Sequence, residues 1–162
     1  MGNTNSQNAA IMEIRDAFGL AKDECDITFT NSSYIIQPNK NSKELHIASI
    51  ANADIFKQYN LEFKDCVFKC ELLLEQQKIS TALSFIGCIF KENVSLKKSE
   101  FLERISFEDS IFEENVDLSY ARFQSQADFS TATLKGILYS TTSSLQNVSL
   151  PHNPPEHSIF SP

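Results

Sequence analysis

The sequence predicts an all-β solenoid with four-sided coils of about 22 residues, preceded by a small α+β N-terminal cap. Two observations carry this. Stepping alternately by five and six residues from Phe63 gives Phe68, Leu74, Ile79, Phe85, Phe90, Leu96, Phe101, Phe107, Phe112, Leu118, Phe123, Phe129 and Leu134, all large and apolar. Above this short step sits a longer one, because residues 22 positions apart repeat each other. Phe63, Phe85, Phe107 and Phe129 form one set, and Phe68, Phe90, Phe112 and Leu134 a second. Leu74, Leu96 and Leu118 form a third, and Ile79, Phe101 and Phe123 a fourth. A fixed period of this length is the mark of a repeat architecture.

Four sets imply four sides to each coil. An α-helical reading fails, since steps of five and six do not stay on one face of a 3.6-residue helix. Strands stacked about 4.8 Å apart fit, and they place like side chains directly above one another. The residue two before each large one lies on the same side of its strand. These residues are Leu61, Cys66, Leu72, Gln77, Leu83, Cys88, Val94, Ser99, Ile105, Ser110, Val116, Ala121, Ala127 and Ala132. Cys66, Cys88, Ser110 and Ala132 make one column small throughout. The interior therefore takes one large and one smaller residue per side. Gln77 is the exception, in the first full coil, where a cap begins.

The stretches ISFEDSIF (105–112), VDLSYARF (116–123) and ADFSTATL (127–134) resemble the pentapeptide-repeat family, with units of small, polar, Leu or Phe, then two polar residues. The resemblance covers about half the chain and implies a right-handed quadrilateral β-helix. The rigid, flat, regular faces of a solenoid suit a protein-interaction scaffold, and the resemblance implies a second use, an acidic mimic of duplex DNA that binds a type II topoisomerase or another DNA-binding protein. This sequence departs from the plain pattern by a sixth residue at every second corner. Asn93 and Asn115 occupy equivalent inserted corners, where Asn tolerates a left-handed backbone.

Three segments follow. Residues 1–60 form the cap, with a helix over residues 8–22 that carries Ile11, Ile14 and Phe18 on one face. Strands are expected at 26–29, 33–36 and 45–50, with a polar connector at 38–43 and a degenerate repeat unit at 51–56. Residues 61–136 form the solenoid. Beyond Gly136 the pattern stops, and 137–162, rich in Ser, Thr, Asn and Pro, read as a flexible tail.

Composition narrows the function. The net charge of −7 argues against direct nucleic-acid binding, because phosphates attract Lys and Arg. No apolar run approaches the roughly 20 residues that span a bilayer, and the N-terminus lacks a secretory pattern. The sparse cysteines Cys25, Cys66, Cys70 and Cys88 read as reduced thiols, which points to the cytoplasm. His46, His152 and His157 have no evident partners, Cys66 and Cys88 fall on interior positions, and four glycines cannot supply a phosphate loop. An enzyme, a cofactor and a metal site are therefore not expected.

Three surface features remain. The residue before each large one points outward. On one side these are Val67, Ile89, Ile111 and Thr133, a β-branched ladder beside Lys69, Lys91 and Lys135. Strand propensity alone explains such a ladder; a covering cap, a second copy as in a homodimer, or a protein partner explains it too. The other outward rows are mainly polar, one of them reading Leu73, Ser95 and Asp117. Glu100, Glu103, Glu108, Asp109, Glu113, Glu114 and Asp117 place seven acids against one Arg over 99–118, the feature that would serve DNA mimicry. The opening MGNTNS fits N-myristoylation at Gly2, and membrane contact is expected only if that lipid is attached, as in an effector acting in a eukaryotic host.

Overall fold

The structure is a computed structural model that describes residues 4–141, 143 and 145–152. Its core is a four-sided β-solenoid. Face 1 stacks Leu61–Lys64, Leu83–Ile86, Ile105–Ser106 and Ala127–Asp128, and face 2 stacks Cys66–Phe68, Ile89–Phe90, Ile111–Phe112 and Thr133–Leu134. Face 3 stacks Leu72–Leu73, Val94–Ser95, Val116–Asp117 and Leu138–Tyr139, and face 4 stacks Lys78–Ile79, Glu100–Phe101 and Arg122–Phe123. All these pairings are parallel, with partners such as Leu61 and Leu83, or Val94 and Val116, 22 residues apart. The 22-residue register is therefore the register of the fold.

The apolar sets become ladders. Phe63, Phe85, Phe107 and Phe129 stack with centroids 5.1, 5.0 and 4.7 Å apart. Phe68, Phe90 and Phe112 stack beside them at 5.0 and 4.8 Å. The two ladders meet edge to face, as at Phe107 and Phe112, 5.1 Å apart at 61°. Both geometries suit the aromatic quadrupole. Small interior residues bond from coil to coil. Ser110 Oγ donates to Phe85 O at 3.0 Å and accepts from Cys88 N at 3.1 Å, so this hydroxyl is paired inside a narrow interior.

The corners differ from the sequence expectation. Asn93 and Asn115 do not take left-handed backbone. The left-handed residues are Asp65, Gly87 and Asp109 after face 1, and Gln76, Lys98 and Tyr120 after face 3. These are the five-residue corners. A tight turn such as Leu96–Ser99, closed by Ser99 N to Leu96 O at 3.2 Å, needs positive φ at its third residue. The sixth residue relaxes the other corners. There Asn side chains bond the next coil instead: Asn115 N donates to Asn93 Oδ1 at 3.1 Å, and Ile137 N to Asn115 Oδ1 at 2.8 Å.

The cap is built on the solenoid rather than beside it. Helix α1, Thr4–Phe18, ends four residues earlier than expected. Gly19 at φ 62° takes the left-handed position, with Gly19 N bonded to Asp16 O and Leu20 N to Arg15 O. Ile14 and Phe18 are buried, Ile11 only partly. The Phe18 ring meets Phe63 at 5.2 Å and 90°, closing the bottom of the first ladder. The hairpin Cys25–Thr30 and Ser33–Pro38 turns on Asn31 and Ser32, both at positive φ, as a two-residue turn prefers. Its second strand pairs in parallel with Leu61–Lys64, and Leu45–Ile47 with Cys66–Phe68. The expected degenerate unit at 51–56 is instead a turn leading into helix α2, Ile55–Gln58. Among the described residues no strand underlies faces 3 and 4 in this coil.

The solenoid also outruns Gly136. Leu138–Tyr139 continues face 3, and Val148–Ser149 pairs with Ala127–Asp128 on face 1. The described residues between 137 and 149 therefore extend the stack beyond the expected 61–136 span. They satisfy carbonyls and amides of the coil below: Leu118 N donates to Tyr139 O at 2.7 Å, and Asn147 Nδ2 to Phe123 O at 2.7 Å. The expected tail beyond 152, with His157, lies outside the described residues. Six parallel strands on face 1 make five coil steps, more than the 61–136 boundaries allow.

Candidate interaction surfaces

Register places the β-branched residues of face 2, Val67, Ile89, Ile111 and Thr133, in one row, with His46 of the cap at its start. The row is graded. Val67 is only 4% exposed, Ile89 and Ile111 are half-buried, and Thr133 is exposed. The apolar surface on offer is thus Ile89 and Ile111. Lys69, Lys91 and Lys135 stand in one corner column beside the row, Lys91 paired with Glu113 at 2.9 Å.

The seven acids do not gather on one face. Glu100 lies on face 4, Glu103 at the corner before face 1, Glu108 and Asp109 at the corner before face 2, Glu113 and Glu114 at the next corner, and Asp117 on face 3. They encircle a single coil. Glu100 is shared with Lys78 Nζ at 3.9 Å, and with Gln124 Nε2. Asp117 Oδ1 accepts Ser119 N at 2.8 Å. A sequence cluster within one 22-residue coil wraps the girth by construction.

One surface feature escaped the sequence reading. Face 3 carries a groove of about 230 Å³ lined by Leu73, Ser95, Asp117 and Tyr139 along its row, with Glu71 and Glu75 beside Leu73. Leu73 is 47% exposed, while Ser95 is buried. The signal was present, since Leu73 is the one large apolar residue in an otherwise polar outward row. Tyr139 was missed because it lies past the point where the repeat stops.

All four cysteines are free. The hydrogen-bonded Cys88 thiol and burial push the Cys66 thiol up, and burial also raises Cys70 and, against the pull of Arg15, Cys25. A reactive cysteine needs the opposite shift. His46 Nε2 lies 2.7 Å from Glu44 Oε1 on the surface, and His152 is exposed. Among the described residues no group of three or more His, Cys, Asp or Glu is placed to hold a metal, and no helix is long and apolar enough to cross a membrane. Gly2 lies outside the described residues.

The family model of pentapeptide repeats (9 copies) matches residues 85–133. Residues 85–133 carry pentapeptide repeats. No curated protein and no solved structure matches it. The pentapeptide-repeat match begins at Phe85, one coil after the solenoid reaches four sides; the preceding coil holds Gln77 where later coils have Ser99 and Ala121. It takes in Ile89, Ile111, Thr133 and the acidic girdle, whereas Val67, Leu73 and Tyr139 fall outside it.

Proposed function

We propose that this protein is a non-enzymatic protein-interaction scaffold whose docking surface is centred on Ile89 and Ile111. The observation that supports it is a pair of adjacent, partly exposed isoleucines on a face whose backbone is fixed by parallel pairing above and below. Such a surface is rigid before it binds, so little ordering entropy opposes association. Lys69 and Lys135 beside it suit a partner with an acidic edge. DNA mimicry draws less support, because a decoy needs charge in lines along its axis, whereas these acids ring one coil.

The test is affinity capture and sedimentation of the full chain against Ile89→Lys with Ile111→Lys. Both side chains point outward, so the melting curve should be retained. Loss of a captured partner, or of self-association, is expected. An unchanged partner set together with an unchanged oligomeric state would leave strand propensity as the whole explanation of the ladder.

A further inference from the structure

We infer that the groove on face 3 is a docking site for a lysine- or arginine-bearing extended segment of a partner protein. The site is distinct from the Ile89 and Ile111 surface and does not depend on it. Its shape comes from the row itself. Ser95 is a small, buried residue between Leu73 one coil below and Asp117 one coil above, so the row is depressed at its middle. Tyr139 closes the far end, one further coil along. Three coil steps make the groove about 14 Å long.

Charge selects the occupant. Glu71, Glu75 and Asp117 line the groove and no Lys or Arg does. None of the ion pairs among the described residues involves Glu71, Glu75 or Asp117. Asp117 keeps one oxygen beyond its bond to Ser119 N. A long basic side chain meets these demands together. Its aliphatic stem lies over Ser95, and its charged head reaches the carboxylates. The exposed Leu73 and the Tyr139 ring then receive apolar residues on either side. In an extended chain, residues two apart face the same way at a spacing of about 7 Å. An apolar residue, a basic residue and a second apolar residue at alternate positions thus span about 14 Å and match the groove.

The test uses the full chain and a fluorescein-labelled seven-residue peptide of serine, with leucine second and sixth and lysine fourth, read by anisotropy at low salt. Saturable binding is expected, weakening as salt screens the charges. Ser95→Leu, which fills the depression without touching an acid, should weaken it about tenfold or more, equivalent to about 1.4 kcal/mol. Glu75→Gln with Asp117→Asn should do the same, and keeps a side-chain acceptor for Ser119 N if Ser95→Leu fails to fold. Glu103→Gln with Glu108→Gln, acids on other sides, should leave binding intact. So should Ile89→Lys with Ile111→Lys, which separates this site from the scaffold surface proposed above. A peptide with glutamate for lysine should not bind. Absence of binding at millimolar peptide overturns the proposal. So does an equal loss in the Glu103 and Glu108 variant, which would mark unspecific attraction to an acidic protein. Self-association of the chain that Ser95→Leu abolishes would assign the groove to a second copy and overturn it as well.

Discussion

The rings of Phe85 and Phe107 stack with centroids 5.0 Å apart and planes 5° from parallel. They belong to residues 22 apart in sequence and adjacent in the strand stack, so the coil spacing sets the ring spacing. The neighbouring ladder meets this one edge on. Faces 1 and 2 thus bring two aromatic stacks together, each fixing the tilt of the other, while Phe101 stacks on Phe123 on face 4.

Phe107 is fully buried between Phe85 and Phe129 and also touches Phe90 and Phe112. Phe107→Ala should cost about 3–5 kcal/mol, since a four-sided coil cannot collapse into the cavity. That is a large share of the roughly 5–15 kcal/mol that stabilises a domain. Chemical denaturation would show it as a lower midpoint, and an unchanged midpoint would contradict the ladder.

The five-residue corners predict two substitutions of opposite sign. Gly87 has φ 62°, and a Cβ there would lie 2.9 Å from Asp65 Oδ1. Gly87→Ala should lose about 1–2 kcal/mol from the left-handed backbone. Tyr120 sits at φ 60° with its ring half-exposed, so Tyr120→Gly relieves the same strain and should be neutral or gain up to about 1 kcal/mol. Urea melts of both variants check the pair. No loss in Gly87→Ala, or a loss in Tyr120→Gly as large as the one in Gly87→Ala, would contradict this strain.

Ser110 holds two coils together through Phe85 O and Cys88 N. Ser110→Ala leaves both groups buried without that hydroxyl and should cost about 1–3 kcal/mol. Ser110→Cys should recover part of the loss. Cys88 fills the same position one coil earlier, its Sγ 3.4 Å from Phe63 O. Thermal unfolding of the three proteins should rank Ser above Cys above Ala.

Tyr59 carries a pH dependence. Burial first, then its hydrogen bond to Glu13 at 2.8 Å, pushes its phenol up from 10 to about 12. The folded state thus holds this proton more tightly than the unfolded chain. The stabilisation is complete below pH 10 and is lost as pH rises from 10 to about 12. Ultraviolet titration of the tyrosines should show one group ionising near 12 in the wild type. Glu13→Gln should move that group downward; if it stays in place, the carboxylate is not part of the cause.

The sequence alone determined the interior. A residue that must be large every fifth and sixth position, with matches every 22, admits one stacking register, and Phe63, Phe85, Phe107 and Phe129 fall into a column with no further information. The outward row of Val67, Ile89, Ile111 and Thr133 followed from the same alternation. What the sequence could not supply came from contacts without a period. Leu138–Tyr139 and Val148–Ser149 join the solenoid because the last regular coil leaves amides such as Leu118 N and Ala127 N in need of acceptors, and any backbone can answer them. Phe18 closes the other end together with Ile36 and Phe56, which cover the Phe63 ring. Left-handed φ fell to Asp65, Gln76 and Tyr120 rather than to Asn93 and Asn115 because corner length, not residue preference, sets the turn. The groove on face 3 exists only once Leu73, Ser95, Asp117 and Tyr139, 22 residues apart in turn, are stacked in space. A binding surface on a solenoid is read down the coils, across the chain rather than along it, and that direction exists only in the folded protein.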